Sequence, residues 1–320
     1  MEMPPPLRRA VDEALSGTAM KDIAAAAGAL SERYRAGQRG REYYVASDRD
    51  ALAYLATRLP ATYAAVRASL AAIAEARPDF APASMLDVGA GPGTALWAAA
   101  DCWPTLNDAM LVEASPVIRT CGEMLARHSQ LPRITWCAFD ITARRPDCAP
   151  RDLVTMAYVL NELTADSRPS VLQHLWQLTA DTLLIVEPGT PEGWERILAA
   201  RRQLIADGAH IIAPCPHAHE CPVQAPDWCH FAQRVARSRL HRLAKGAEVP
   251  WEDEKFSYVA VSRKASVAAG ERVIAPPRKG SGHVRLKLCR TDGSLRDELV
   301  SRRQGGLFKR ASRCHWGDSF

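Results

Sequence analysis

The stretch that most constrains this chain is Met85-Leu-Asp-Val-Gly-Ala-Gly-Pro-Gly-Thr94: an apolar run ending in an acid, then alternating glycines, then a helical pattern over Ala95–Ala100. That order reads as strand, tight turn and helix. Glycine has no Cβ and reaches positive φ at little cost, so a ligand can lie directly against the backbone of such a turn.

The apolar runs Ala109–Ala114, Ile134–Asp140, Leu153–Leu160 and Thr182–Glu187 follow, with helical patterns at Pro116–Arg127 and Ser170–Thr179 between them. Strands alternating with helices predict a doubly wound, Rossmann-like parallel sheet in the α/β class. Its polar strand ends would share the edge where open sheets bind ligands. Residues 1–80 are Ala-rich with helical spacing, broken at Gly37–Gly40 and Pro60, and predict a helical N-terminal layer. Residues 81–264 form the expected α/β domain, with a helix at Phe231–Leu243 and a strand at Lys255–Ser262. A basic C-terminal extension, 265–320, reads as a linker over Ala265–Gly282, a strand from His283, and a frayed basic end.

With 47% hydrophobic and 24% charged residues over 320 positions, the chain can bury a full core. No apolar run approaches the roughly 20 residues that span a bilayer, so no membrane partner is expected. Met1–Pro6 has no apolar targeting core, which predicts a cytoplasmic, reducing location. There, nine cysteines argue for buried or metal-bound thiols rather than a disulfide framework.

A dinucleotide fingerprint spaces its glycines G-x-G-x-x-G. Here Gly89, Gly91 and Gly93 alternate and Asp87 stands just before them. The arrangement resembles the first motif of class I S-adenosylmethionine-dependent methyltransferases. By that resemblance Asp87 lies near the cofactor's amino-acid end, and the three glycines allow close backbone approach. Glu113, ending the second strand, accepts from the ribose hydroxyls, and Asp140, ending the third, meets the adenine. One carboxylate offers two acceptors at the spacing of vicinal hydroxyls. After the fourth strand, where amino-methylating members often place an Asn/Asp-Pro-Pro-aromatic tetrad, stands Tyr158-Val-Leu-Asn-Glu-Leu163. Asn161 and Glu162 are candidates to orient a substrate, and a cofactor bound without methyl transfer is equally open.

Between Ala213 and Cys229, Pro214, Pro216, Pro222 and Pro226 exclude a helix or a central strand. Cys215, Cys221 and Cys229 on such a loop can converge, with Cys289 as a distant fourth ligand. Four thiolates suit a [4Fe–4S] cluster or a tetrahedral zinc, and His217, His219 and His230 leave mixed zinc ligation open. Three buried thiols without metal are the plain alternative.

Taken with Val186-Glu-Pro-Gly189, Ala213-Pro-Cys-Pro-His217 and Trp228-Cys-His-Phe231, these motifs resemble the methyltransferase-like small-ribosomal-subunit family, whose mitochondrial members help assemble that subunit. The resemblance runs from about Tyr43 to Cys289. It implies a [4Fe–4S] cluster on Cys215, Cys221, Cys229 and Cys289, and, without a transit peptide, a bacterial relative. It also implies small-subunit rRNA and the pre-ribosomal particle as partners. Arg234, Arg237, Arg242 and Lys245, with the basic C-terminal segment, would supply phosphate contacts. Three activities remain: a docking assembly factor, an active rRNA methyltransferase, or a methyltransferase for a small molecule or protein.

Overall fold

A computed structural model describes residues 1–36, 44–237, 241–243, 248–265 and 270–320. Strands β1 (Ser84–Val88), β2 (Asp108–Val112), β3 (Arg133–Cys137), β4 (Arg151–Ala157) and β5 (Thr179–Pro188) are mutually parallel in the order β3-β2-β1-β4-β5. Next to β5 runs β8 (Trp251–Ser262), antiparallel. The free edge of β8 takes β6 (His210–Ala213) along one half and β7 (Phe231–Ala236) along the other, both antiparallel to it. The order β3-β2-β1-β4-β5-β8-β6 is the class I methyltransferase arrangement, a Rossmann-like sheet closed by an antiparallel strand.

Alternation along the strands divides the core between two faces, as the two-residue period requires. Leu184 and Val186 of β5 turn with Met85, Ala109 and Leu111 toward the face packed by the N-terminal helices. Those helices are α1 (Pro5–Leu15), α2 (Met20–Ala36), α3 (Asp48–Thr57) and α4 (Leu59–Ala76), and α5 (Thr94–Cys102), which follows β1, packs against α4. Leu183 and Ile185 turn with Leu86, Val154 and Val259 toward α7 (Arg168–Gln177) and α8 (Pro191–Ala206). Between β2 and β3 runs α6 (Pro116–Ala126). Each such aliphatic side chain contributes about 1.5–3 kcal/mol by leaving water. Ser47 and Asp50 close a reciprocal cap at the start of α3.

Two sequence expectations change. Phe231–Ala236 is a strand, not the start of a helix. Its buried residues Phe231 and Val235 stand four apart, a spacing common to one helix face and one strand face. What decides between them is β8, whose outer half supplies an edge. Lys245 lies outside the described residues, and Arg242 sits in a short helical turn.

The C-terminal segment is also more than a linker and a frayed tail. β9 (Arg272–Val273), β10 (Arg278–Gly280), β11 (His283–Cys289) and β12 (Leu295–Ser301) form a second antiparallel sheet. After a 3-10 turn at Arg302–Gln304, α9 (Gly306–Arg313) covers one face of it. Val273, Val284, Leu286, Leu288, Val300 and Ala311 form a separate small core there. Among the described residues no helix is long and apolar enough to cross a membrane.

Candidate functional site

The glycine turn stands at the carboxyl edge of β1. Gly89, Gly91 and Gly93 all have positive φ, at 69°, 54° and 81°. Gly89 is glycine for a second reason, since a Cβ there would lie 2.3 Å from Val159 Cγ2 in the turn after β4. A Cβ on Gly91 meets nothing within 4 Å, so that residue faces open space. Beside it lies a small open cleft, lined by Tyr54, Asp87, Gly89, Gly91, Thr94 and Tyr158 among others.

Two polar groups on the cleft wall have unspent capacity. Asp87 is 2% exposed; its Oδ1 accepts from Thr155 Oγ1 at 2.7 Å, while its buried Oδ2 has no partner. Thr94 Oγ1 is buried and equally unmatched. Unsatisfied polar atoms are costly in an apolar site, so a cleft that keeps two of them fits a polar ligand. Burial raises the Asp87 carboxyl to about 7; Thr155 opposes the shift and the nearby Glu113 adds to it.

That shift sets a pH dependence. Between the ordinary carboxyl value of 3.8 and about 7 the folded chain holds a proton on Asp87 that the unfolded chain has released, so stability falls as pH rises through that window. The loss at high pH is on the order of 4 kcal/mol at 1.36 kcal/mol per pK unit. Glu187, buried at the end of β5 against Arg196 at 2.6 Å, is also raised to about 7 by burial and adds a slope of the same sign. Urea unfolding at pH 5 and pH 7.5 should show Asp87→Asn losing roughly half of the wild-type difference; an unchanged difference would refute the assignment.

The other expected cofactor residues divide. Glu113 is in place, but both its oxygens are engaged: Gly91 N donates to Oε2 and Ser115 N to Oε1, each at 2.8 Å. It braces the turn from below. Asp140 is exposed, does not line the cleft, and spends Oδ1 on the amide and hydroxyl of Thr142, both at 2.8 Å. Asn161 and Glu162 sit in the turn after β4 and do not line the cleft; Asn161 Oδ1 is buried without a partner. The residue that does reach it is Tyr158, in the left-handed region at φ 62°. Its hydroxyl donates to Glu254 Oε1 at 3.1 Å, and Arg58 stands 3.8 Å from the same oxygen. A tyrosine held at positive φ stores strain, which surrounding contacts must over-determine. The motif Tyr158–Leu163 points in sequence to Asn161 and Glu162, whereas in the fold it is Tyr158 that reaches the cleft; Tyr54 and Glu254 arrive from distant elements and leave no local signal.

The cysteine loop lies at the seam between the large sheet and the C-terminal unit. Cys289 on β11 is 6% exposed, and Cys215, Cys221 and Cys229 are partly buried free thiols. Burial raises Cys229 well above the ordinary thiol value, and Cys215, Cys221 and Cys289 each push it further. Burial likewise pushes Cys289 up to about 12, with Cys215 and Cys221 adding to it. The four predicted ligands are thus electrostatic neighbours. His217 is buried, with Nε2 3.3 Å from Cys289 Sγ, while His230 stacks on Trp228 and meets Trp316 edge-on. As the side chains stand, no group of three or more His, Cys, Asp or Glu among the described residues is arranged to hold a metal ion. The donor chemistry nevertheless fits a thiophilic centre.

The arginines expected to meet phosphate on β7 and just after it are paired with acids. Arg234 forms a bidentate pair with Asp253, and Arg237 pairs with Glu252 at 3.0 Å. These are contacts to acids of the neighbouring strand, which the register places opposite or diagonal to them. The free positive charge lies further on. From Gly270 to Phe320, twelve Lys and Arg face five Asp and Glu, a net +7 against +5 for the whole chain. Arg302, Arg303, Lys309, Arg310 and Arg313 are exposed, and none is within ion-pair distance of a carboxylate among the described residues.

Comparison with known proteins gives one family profile, described as mitochondrial small ribosomal subunit Rsm22, matching residues 48–320. The human ribosome assembly protein METTL17, mitochondrial, is 30% identical over 286 residues, covering 83% of this chain and 61% of that protein. A Schizosaccharomyces pombe Rsm22-cox11 tandem protein, mitochondrial, is 26% identical over 329 residues, covering 86% of this chain and 43% of that one. The chain thus spans roughly half of the curated relatives it matches. Among solved structures, the magnesium protoporphyrin IX methyltransferase of Synechocystis, with bound SAM, aligns at TM-score 0.43 and 13% identity over 73% of this chain and 91% of that one. A putative RNA methyltransferase from Pyrococcus horikoshii aligns at 0.40 and 15%, over 63% and 81%. Strand order, rather than these remote likenesses, carries the fold assignment. The cytoplasmic location expected from the sequence is overturned, because the family and these curated relatives are mitochondrial by description.

Proposed function

This chain belongs to the Rsm22 family of mitochondrial small-ribosomal-subunit proteins, and from that premise we propose that it is a small-subunit assembly factor that docks on rRNA through its C-terminal unit. The observation that carries the reading is the net +7 of residues 270–320, mounted on an ordered sheet and helix, against the acid-paired arginines of β7. Unpaired cations on a rigid surface meet phosphates at little ordering cost and release condensed counterions.

The glycine cleft is the site for S-adenosylmethionine. Gly91 offers the open backbone face, Asp87 Oδ2 and Thr94 Oγ1 offer unsatisfied oxygens, and Glu113 holds the turn in shape. When bound, that cofactor supplies an electrophilic methyl group. Against methyl transfer as the main role stands the turn after β4, where Tyr158 is tied to Glu254 and Asn161 and Glu162 lie off the cleft. The four cysteines are the site for a thiolate-bound centre, a [4Fe–4S] cluster or zinc, that ties the loop to β11. The C-terminal unit meets this loop through Lys287–Asp227, Cys289–His217 and Trp316–His230, so a fixed loop fixes the RNA-binding surface.

Charge reversal tests the docking role. The protein carrying Arg302→Glu, Arg303→Glu and Arg313→Glu should lose at least tenfold in affinity for small-subunit rRNA at moderate salt, with a shallower log–log salt slope. Unaltered affinity and slope would remove the C-terminal unit from the contact.

A further inference from the structure

Among the described residues three arginines are less than a tenth exposed, Arg77, Arg201 and Arg272. Arg77 lies against Asp79 and Asp181, and the part-buried Arg151, Arg196 and Arg237 likewise lie against Asp108, Glu187 and Glu252. The other two buried arginines differ. Arg201 of α8 is 2% exposed and Arg272 of β9 is 6% exposed, and no carboxylate stands within ion-pair distance of either among the described residues.

Both are spent on the cysteine loop. One terminal nitrogen of Arg201 donates to the carbonyls of His217 and His219, each at 2.8 Å, and its buried Nε has no partner. Arg272 Nε donates to the Pro214 carbonyl at 2.8 Å, and another of its nitrogens to the Gly317 carbonyl at 2.7 Å. They reach the loop from α8 on one side and β9 on the other, and both stand within electrostatic reach of Cys289. Carbonyl dipoles solvate a guanidinium but do not neutralise it, and an uncompensated buried ion costs several kcal/mol. With four neutral thiols the seam would bury two such charges without a counter-charge.

We propose that Arg201 and Arg272 are the counter-charges of a four-thiolate centre of net charge −2, positioning residues that couple loading of the centre to closure of the loop. The proposal rests on the thiolate-centre reading given above and adds its charge balance. Four thiolates around Zn²⁺ or around a [4Fe–4S]²⁺ core both carry −2, which two guanidiniums cancel. Three thiolates and a neutral imidazole around Zn²⁺ carry −1 and leave one cation unmatched. The balance therefore favours Cys289 over His217 as the fourth ligand. His217 then serves from beside the centre, its Nε2 within reach of Cys289 Sγ.

The test compares Arg201→Gln and Arg272→Gln with Arg201→Lys and Arg272→Lys in the full-length protein purified without oxygen. Metal per chain is read before and after challenge with a chelator, and thermal midpoints are read for loaded and stripped protein. The Gln proteins should lose metal at least tenfold faster than wild type while the Lys proteins stay within threefold. Stripped Gln proteins should melt no lower than stripped wild type, because an unmatched buried charge has gone. Equal metal loss in Gln and Lys proteins, or an equal fall of the midpoint in loaded and stripped Gln proteins, would reduce the arginines to braces for loop carbonyls and overturn the proposal alone. A wild-type protein that takes up neither zinc nor iron would overturn the thiolate-centre reading itself, and this inference with it.

Discussion

The Cys229→Ser protein is expected to retain no metal and to melt about 10 °C below wild type, a loss of roughly 3–5 kcal/mol at 2–4 °C per kcal/mol. Serine differs by one atom, so packing alone does not produce such a change. The effect comes from position. Cys229 precedes β7, its carbonyl accepts from Ser257 Oγ at 2.9 Å, and its thiol is within electrostatic reach of the three others. Without a centre joining them, the loop is held by hydrogen bonds and the two arginines, and the C-terminal unit loses its anchor at β11. Limited proteolysis should then release a C-terminal fragment that wild type retains. Cys314→Ser is the control: that thiol is buried in the small C-terminal core, away from the loop, with Sγ 3.4 Å from the Arg310 carbonyl. It should shift the midpoint by no more than a few degrees. Equal effects at Cys229 and Cys314 would show that thiol burial, not a shared centre, supports the seam.

Gly91→Arg should abolish S-adenosylmethionine binding, with at least a hundredfold loss by calorimetry, while costing only about 1–3 kcal/mol of stability for an arginine at positive φ. Two glycines of the same turn separate the effects. A side chain at Gly91 enters open space and fills the cleft, whereas one at Gly89 meets Val159 and disturbs the turn after β4. Gly91→Arg therefore removes the ligand and leaves the fold. On the docking account this protein still associates with small-subunit rRNA at wild-type affinity. Loss of rRNA binding together with cofactor binding would mean that the cleft itself receives RNA, the methyltransferase alternative.

What the sequence made legible depended on whether a residue's reason was local. The glycine turn could be read because positive φ at three positions demands glycine wherever the chain folds. The parallel strands could be read because each is a short apolar run between helical patterns. Phe231–Ala236 could not, since Phe231 and Val235 fit either period and only pairing with β8 decides between them. The C-terminal core was hidden because Val273, Val284, Leu286, Leu288 and Val300 are spread among arginines and glycines and pool only once the strands pair. Acids at strand ends were visible, but their direction was not: Asp87 faces the cleft, Glu113 turns under the glycines and Asp140 caps its own loop. Arg201 and Arg272 were inconspicuous among 41 basic residues, because burial distinguishes them and burial is a tertiary property.

The most direct test is a map of protein–rRNA crosslinks on the assembling small subunit. The account predicts crosslinks on Arg302–Arg313 and the adjoining β10–β11 hairpin, none at Arg234, and none at Tyr158 in the cleft. Crosslinks concentrated at Tyr158 and Asn161, with the C-terminal unit bare, would contradict it and place a substrate base where a methyl group is transferred.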